Sequence, residues 1–411
     1  MSPPTEAGRA DGPGGGAGRR RAEHLAQVDT ADVGLLSPVW VGTFAEALTS
    51  DREVADAMVV FEAALGRALS EQLSAPRASG FDGDAVTDVR RLARDAVSPG
   101  NPTVPLVAAL RAVARDGGAL HHGATSQDVV DSALVLVASG TLRETESQLV
   151  VVAERLAVLA DEHRSLPCAA RTLTQQAMPT TLGFRVASWL AGVHDALEAV
   201  RGCLPLPVSL GGPVGTAAVY GADGPAVVES VAAALGLGAP VMSWHTRRTP
   251  VLVVATALAV VGEACGRIAA DLLLMAQTEV GEATDGSAGA SSAMAHKANP
   301  TRSVLVASAA QQLPFLLGSV AASGAGASER PAGAWHAEWQ PLRTMLRLAG
   351  AAAERTAETA LEMAFDQEAM ARNLALLTAA AGADAGWVET QTAHVGVWID
   401  RVLARHEEVM G

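Results

Sequence analysis

Lysine is almost missing from this chain: of 30 basic residues, only Lys297 is one. Aromatic residues make up 3% of the 411 while hydrophobic residues reach 49%, much of it alanine, so the core must consist of closely packed helices. Three cysteines, Cys168, Cys203 and Cys265, are too scattered for a disulfide framework or a zinc knuckle, and no metal or cofactor is expected. Net positive charge is also lacking. At −14 the chain is a poor candidate for nucleic acid, although a local basic pocket can still hold a small anion. There is no basic-then-apolar leader, and apolar runs such as 251–261 stop at Gly262-Glu263, short of a bilayer. No membrane partner is expected, and the cytoplasm is the expected compartment. Residues 11–20 are glycine-rich, so a disordered tail is expected over 1–30.

What is present is helical periodicity. Val54, Met58, Phe61, Leu65 and Leu69 share one face of a helix over 51–73, and another helix is expected over 82–96, capped by Asp82 or Asp84. Residues 142–162, 182–200, 250–278, 301–322 and 388–407 continue the pattern, which predicts an all-α bundle of long helices. The stretch 171–181 reads as a polar helix start interrupted by Pro179.

Chemistry concentrates in a few segments. Residues 289–300 place Ser291, Ser292, Met294, His296, Lys297 and Asn299 together behind a glycine-rich run. Such donors suit a carboxylate, while a Ser-capped helix entry is the plainer reading. His121-His122-Gly123-Ala124-Thr125-Ser126-Gln127-Asp128, with Asp131 beyond, is either an anion-binding turn or a helix cap. Trp244-His245-Thr246-Arg247-Arg248 offers bidentate carboxylate donors or a solvated face. Asn101 sits in a Pro-flanked turn, and Trp335-His336-Ala337-Glu338-Trp339 follows Arg330. The glycines of 207–220 lack the grammar of a phosphate loop.

Residues 289–300 resemble the GSSxMPxKxNP signature of the fumarase/aspartase/argininosuccinate lyase superfamily, with Ala290 and Ala295 at the glycine and proline places. GATSQD, WHTRR and GAWHAEW are most similar to the bacterial 3-carboxy-cis,cis-muconate cycloisomerases. The resemblance implies an L-aspartase/fumarase-like helical fold, a homotetramer with a twenty-helix core, and pockets that collect residues from three subunits. It implies Ser291 as the proton-transferring residue. Asn101, His121, Thr125, Ser126, Gln176, His245, Arg248, Ser292, Lys297 and Asn299 are the implied substrate-binding residues. Asp131, Arg247, Met294, His296, Arg330 and His336 are the implied supporting residues.

Three places depart from the pattern. Leu173 stands where amine-expelling members have histidine, and Gln176 and Ser328 stand where cycloisomerases have histidine. The last helices also look shortened. The expected domains are a small N-terminal one over 31–107, a central bundle over 108–348 and a reduced C-terminal one over 349–411. The implied reaction is cofactor-free addition of a carboxylate to an alkene within a di- or tricarboxylate, through an aci-carboxylate. The alternatives are C–N or C–O elimination from a substituted succinate, and an inactive homologue.

Overall fold

Thr43 precedes a short helix, α1 (Phe44–Leu48), and the Ser50 hydroxyl accepts the Glu53 N–H to open α2 (Asp51–Leu73). Asp88 caps α3 (Val89–Asp95) in the same way, and α4 (Thr103–Val113) follows. In this computed structural model residues 35–74, 88–115, 120–287, 289, 294 and 297–411 are described. The tail expected over 1–30 and the caps expected at Asp82 and Asp84 lie outside them. The chain divides after Ser37, and Pro38–Gly411 forms one compact unit.

The centre is built on α5 (Ser126–Glu162), whose 37 residues span about 55 Å. Leu142, Leu149 and Leu156 are completely buried along one stripe of it. It packs on α6 (Leu182–Arg201), which packs on α8 (Thr249–Met275); α7 is the smaller helix Gly224–Leu235 between them in sequence. Next come α9 (Thr301–Ser323) and α10 (Ala334–Glu362), and α10 returns to α5 and closes a five-helix ring. Alanine allows the close approach. Ala349, Ala351, Ala352, Ala353, Ala357 and Ala360 of α10 are buried, and a Cβ on Gly350 would lie 3.0 Å from Ala45 and Phe44. The expected domain boundaries at 107/108 and 348/349 fall inside α4 and α10.

Helix direction follows from the contacts at the ends. Arg248, just before α8, bonds Asp131 near the start of α5 and Glu338 near the start of α10, so these three helices begin at one end of the bundle. At the other end β3 (Ala283–Thr284), after α8, pairs with β4 (Ala364–Phe365), after α10. α6 and α9 run the opposite way. Both α8 and α9 are long and apolar enough to cross a membrane, which corrects the expectation that the run at 251–261 is too short. Half or more of the apolar window of α8 is buried inside the bundle, so its apolarity serves the core; only 22% of that of α9 is buried.

The stretch 171–181 is not a helix start. It is one side of a hairpin, β1 (Pro167–Thr172) against β2 (Gln175–Thr181), turned by Leu173 and Thr174 at φ 48° and 70°. Two left-handed residues are what a two-residue turn of this twist requires. Leu and Thr adopt that conformation at a cost of about 1–2 kcal/mol each, which is why the turn is not marked by the usual Asn-Gly.

The chain ends in α11 (Gln367–Ala380), α12 (Ala385–Thr392) and α13 (Val395–Met410), so the single helix expected over 388–407 is broken near His394. α13 lies along α6: Arg405 bonds Asp195 and Glu198, Arg164 bonds Asp400, and the His194 and His406 rings stack with centroids 5.4 Å apart. Burial first, then the charges of His406 and Arg405, push His194 down to about 4, while Asp195 and Glu198 pull the other way. Its ordinary value is 6.5, so the unfolded chain takes up this proton before the folded one does, and stability falls as pH drops from 6.5 towards 4. Melting temperatures measured from pH 7 to 4.5 should fall less steeply for His194→Gln than for the wild type. Parallel curves would rule this out.

Candidate active site

The turn before α5 is shaped by sequence that tolerates no larger residue: Gly123 has φ 77°, and a Cβ there would lie 2.2 Å from Val219. His121, also left-handed at φ 60°, is fixed by Glu62 of α2, which accepts its backbone N–H at 3.0 Å and meets its Nδ1 at 2.6 Å. Asp128 then ties the turn to the rest. It accepts the N–H of Thr125 at 2.9 Å, of Gly211 at 2.8 Å and of Gly212 at 2.9 Å, and it meets His245 Nε2 at 2.6 Å.

His245 is therefore buried behind the turn, its Nδ1 near Gly215 and Ser243 without a partner among the described residues. It positions the turn from within.

Arg248 is placed differently from the expectation that it holds a substrate carboxylate. Nε donates to Glu338, Nη1 to Asp131 and to the Trp244 carbonyl, and Nη2 to Asp131 and Glu338. All five N–H groups of the guanidinium are taken, and its plane covers the Trp244 ring at 4.7 Å. Nothing remains for a ligand. Burial works to lower its pKa, but the Asp131 charge and the bonds to both carboxylates hold it above its ordinary value. Burial pushes the Glu338 carboxyl up against the pull of Arg248. Asp131 also accepts from Trp335 Nε1 at 2.8 Å and from Gln127 at 3.2 Å, so it joins the starts of three helices. Trp335→Phe removes one charge-assisted bond and opens a small cavity, and at least about 1.5–3 kcal/mol of unfolding free energy should be lost in a urea titration. An unchanged midpoint would mean that the bond contributes nothing.

The groups that face outward at this end are Thr125, Ser126 and Arg330. Arg330 donates to Thr125 Oγ1 at 3.0 Å and to the Pro213 carbonyl at 3.3 Å. Ser126 begins α5, its carbonyl accepting the Thr103 hydroxyl at 3.2 Å. His336 Nε2 donates to the Gly100 carbonyl at 2.9 Å and so seats the turn that carries Asn101. Asn101 itself spends its amide on that turn, accepting Thr103 N–H and donating to Pro99. Arg247 is exposed, its backbone paired with Ala325.

Lys297 and Asn299 belong to the other end. Gly289 and Asn299 bridge across the base of their loop, and Asp285 anchors it by accepting the N–H and hydroxyl of both Ser287 and Ser303. Gly286, at φ 74°, presses on Glu362, where a Cβ would come within 2.4 Å. Lys297 is exposed, as is Met294, whose carbonyl accepts the Lys297 N–H. Ser291, Ser292 and His296 lie outside the described residues. Gln176, on β2 beside the hairpin tip, is at this end too, since Arg171 of β1 grips Glu282 through two bonds of 2.8 and 2.9 Å. From Glu338 to Glu362 α10 rises about 36 Å, so the two groups of site residues are held far apart within one chain.

Sequence reasoning did not single out Asp128, Glu62 or Glu338. Asp128 had a signal in the GATSQD segment, and Glu338 stood between two tryptophans; Glu62, in mid-helix, had none. Among the described residues no three His, Cys, Asp or Glu side chains gather to hold a metal ion.

Comparison with known proteins now bears on this arrangement. Residues 42–314 match the lyase family. The chain belongs to that family, within the fumarase/aspartase superfamily. It is an enzyme of this kind, a superfamily lyase or cycloisomerase. It is 40% identical over 370 residues to a nitrosuccinate lyase of Streptomyces davaonensis, an alignment covering 84% of this chain and 77% of that protein. To a 3-carboxy-cis,cis-muconate cycloisomerase of Bradyrhizobium diazoefficiens it is 34% identical over 362 residues, covering 84% and 80%. The 3-carboxy-cis,cis-muconate lactonizing enzyme of Pseudomonas putida superposes with a TM-score of 0.78 at 28% identity, covering 89% of this chain and 97% of that one. An all-helical bundle with few strands is what these superfamily relatives share.

Proposed function

We propose that this enzyme eliminates a stable anion from a 2-substituted succinate, with nitrosuccinate as the leading substrate. The observation that carries it is the hairpin tip, where Leu173, Thr174, Gln175 and Gln176 offer no imidazole or other ready acid to protonate a leaving group. An amine or a hydroxide departs only with such help. Nitrite, a weakly basic anion, departs without it, and the 40% identity to a nitrosuccinate lyase points the same way.

In the proposed step the Ser291 alkoxide takes the proton from the carbon next to the substrate carboxylate that lies beyond the nitro-bearing carbon. The electron pair is held on that carboxylate as an aci-carboxylate, stabilised by Lys297 and Asn299 as its charge grows. It then forms the carbon–carbon double bond as the C–N bond breaks, and nitrite leaves with its own pair. Fumarate, nitrite and one proton result. Thr125, Ser126 and Arg330, at the mouth of the opposite end, supply the second carboxylate's donors from another copy of the chain.

Cyclisation of 3-carboxy-cis,cis-muconate is the second reading, because a carboxylate is also a leaving group that needs no proton and the fold matches such an enzyme closely. Purified protein should release nitrite and fumarate in equal amounts from nitrosuccinate. Nitrosuccinate left intact, while the diene absorbance of the muconate is lost and its lactone accumulates, would hand the assignment to the second reading.

A further inference from the structure

Between α6 and α8, at the base of the hairpin, lies a cleft of about 230 Å³ lined by Arg171, Thr180, Arg185, Ser188, Arg267 and Asp271. Its charges do not balance. Glu282 is saturated by Arg171, through both oxygens, and by Asn373 at 2.8 Å. Asp271 is taken by Arg267 at 2.7 Å and by Trp189 Nε1 at 2.7 Å. Arg185 is the third cation. Its side chain is 14% exposed, its nearest carboxylate oxygen is 3.9 Å away on Glu282, and its hydrogen bonds go to the Ala169 carbonyl and the Met275 thioether. Three of its five N–H groups have no acceptor among the described residues.

We propose that this cleft binds a small organic carboxylate, with Arg185 as its anchor. A guanidinium largely withdrawn from water, with no carboxylate within hydrogen-bonding distance, gains most from a planar two-oxygen anion, which it meets through paired bonds. Thr180 and Ser188 add hydroxyl donors at the wall, and the volume exceeds what a few waters fill at about 30 Å³ each. A ligand here bridges α6 and α8 to both strands of the hairpin, through Arg171 and Thr180. Its occupancy therefore stiffens the support of the Leu173–Gln176 tip.

The test is calorimetric titration of the intact, assembled protein with succinate, which has nothing to eliminate. Two succinates per chain should bind: one at the active site, weakened by Lys297→Ala, and one in the cleft, which Lys297→Ala does not alter and Arg185→Gln weakens at least tenfold. Ser188→Met fills the cleft without touching a charge and should cause the same loss, which covers the case in which Arg185→Gln fails to fold. In the Lys297→Ala protein, succinate should slow amide exchange over 168–181. A second succinate that survives both cleft variants, or a single site that vanishes with Lys297→Ala alone, overturns the proposal. A neighbouring copy seated in the cleft would give that second result. Failure of nitrosuccinate to react would leave these titrations unchanged.

Discussion

Ser291→Ala should lower kcat by more than about 100-fold, some 2.8 kcal/mol of barrier, with little change in succinate affinity or in assembly. The change deletes a transferring proton and removes only one oxygen. Asp285, Ser287, Ser303 and the Gly289–Asn299 bridge hold the base of the loop independently of residue 291. A serine is a weak base unless its anion is stabilised, so the effect depends on the donors that close around it. Turnover by the alanine protein at the wild-type rate would remove Ser291 from the chemistry. Lys297→Ala should raise KM and lower kcat together, because it removes a charge from both the bound substrate and the developing aci-carboxylate.

Mixing two inactive proteins should restore activity. If the pocket draws Thr125, Ser126 and Arg330 from one copy and Lys297 with Asn299 from another, Thr125→Val/Arg330→Ala and Lys297→Ala damage different halves of each pocket. Unfolding and refolding an equal mixture then yields some pockets in which both halves are intact, and a sizeable fraction of wild-type activity returns from two samples that have almost none. The roughly 36 Å between the two groups makes this the discriminating experiment, since one chain cannot bring them together without breaking α10. Light scattering on the same mixture should give about four times the 41.9 kDa chain mass. A monomer, or an inactive mixture of normal mass, would mean that the pocket is assembled some other way.

Much of the bundle was legible because its helices announce themselves. Asp51–Leu73 has a serine cap and an unbroken apolar stripe, Thr249–Met275 carries Pro250 in its first turn and Thr301–Ser323 follows Pro300, positions that suit a helix start. The hairpin was not legible, because Leu173 and Thr174 occupy left-handed positions that composition assigns to glycine or asparagine. For the site, the segments were readable but the division of labour within them was not. Arg248 and His245 have the chemistry of substrate donors, and only their distant partners show otherwise: Asp131 is 117 residues from Arg248, and Glu338 is 90. Local pattern carries no information about contacts at that range. Thr125 and Lys297, by contrast, remain where ligand chemistry is open to them.

The same cluster constrains how the chain is made. Trp335 reaches Asp131 across 204 residues, and Glu338 emerges from the ribosome later still. At the usual pace of synthesis the 90 residues from Arg248 to Glu338 take roughly 5 to 18 s, during which the Arg248 cage lacks the carboxylate that completes it. A growing chain with two apolar helices formed and a partly matched charge at their junction cannot close its core. It must wait, exposed, until its last third arrives. Translation speed over residues 250–338 should therefore affect the yield of folded enzyme.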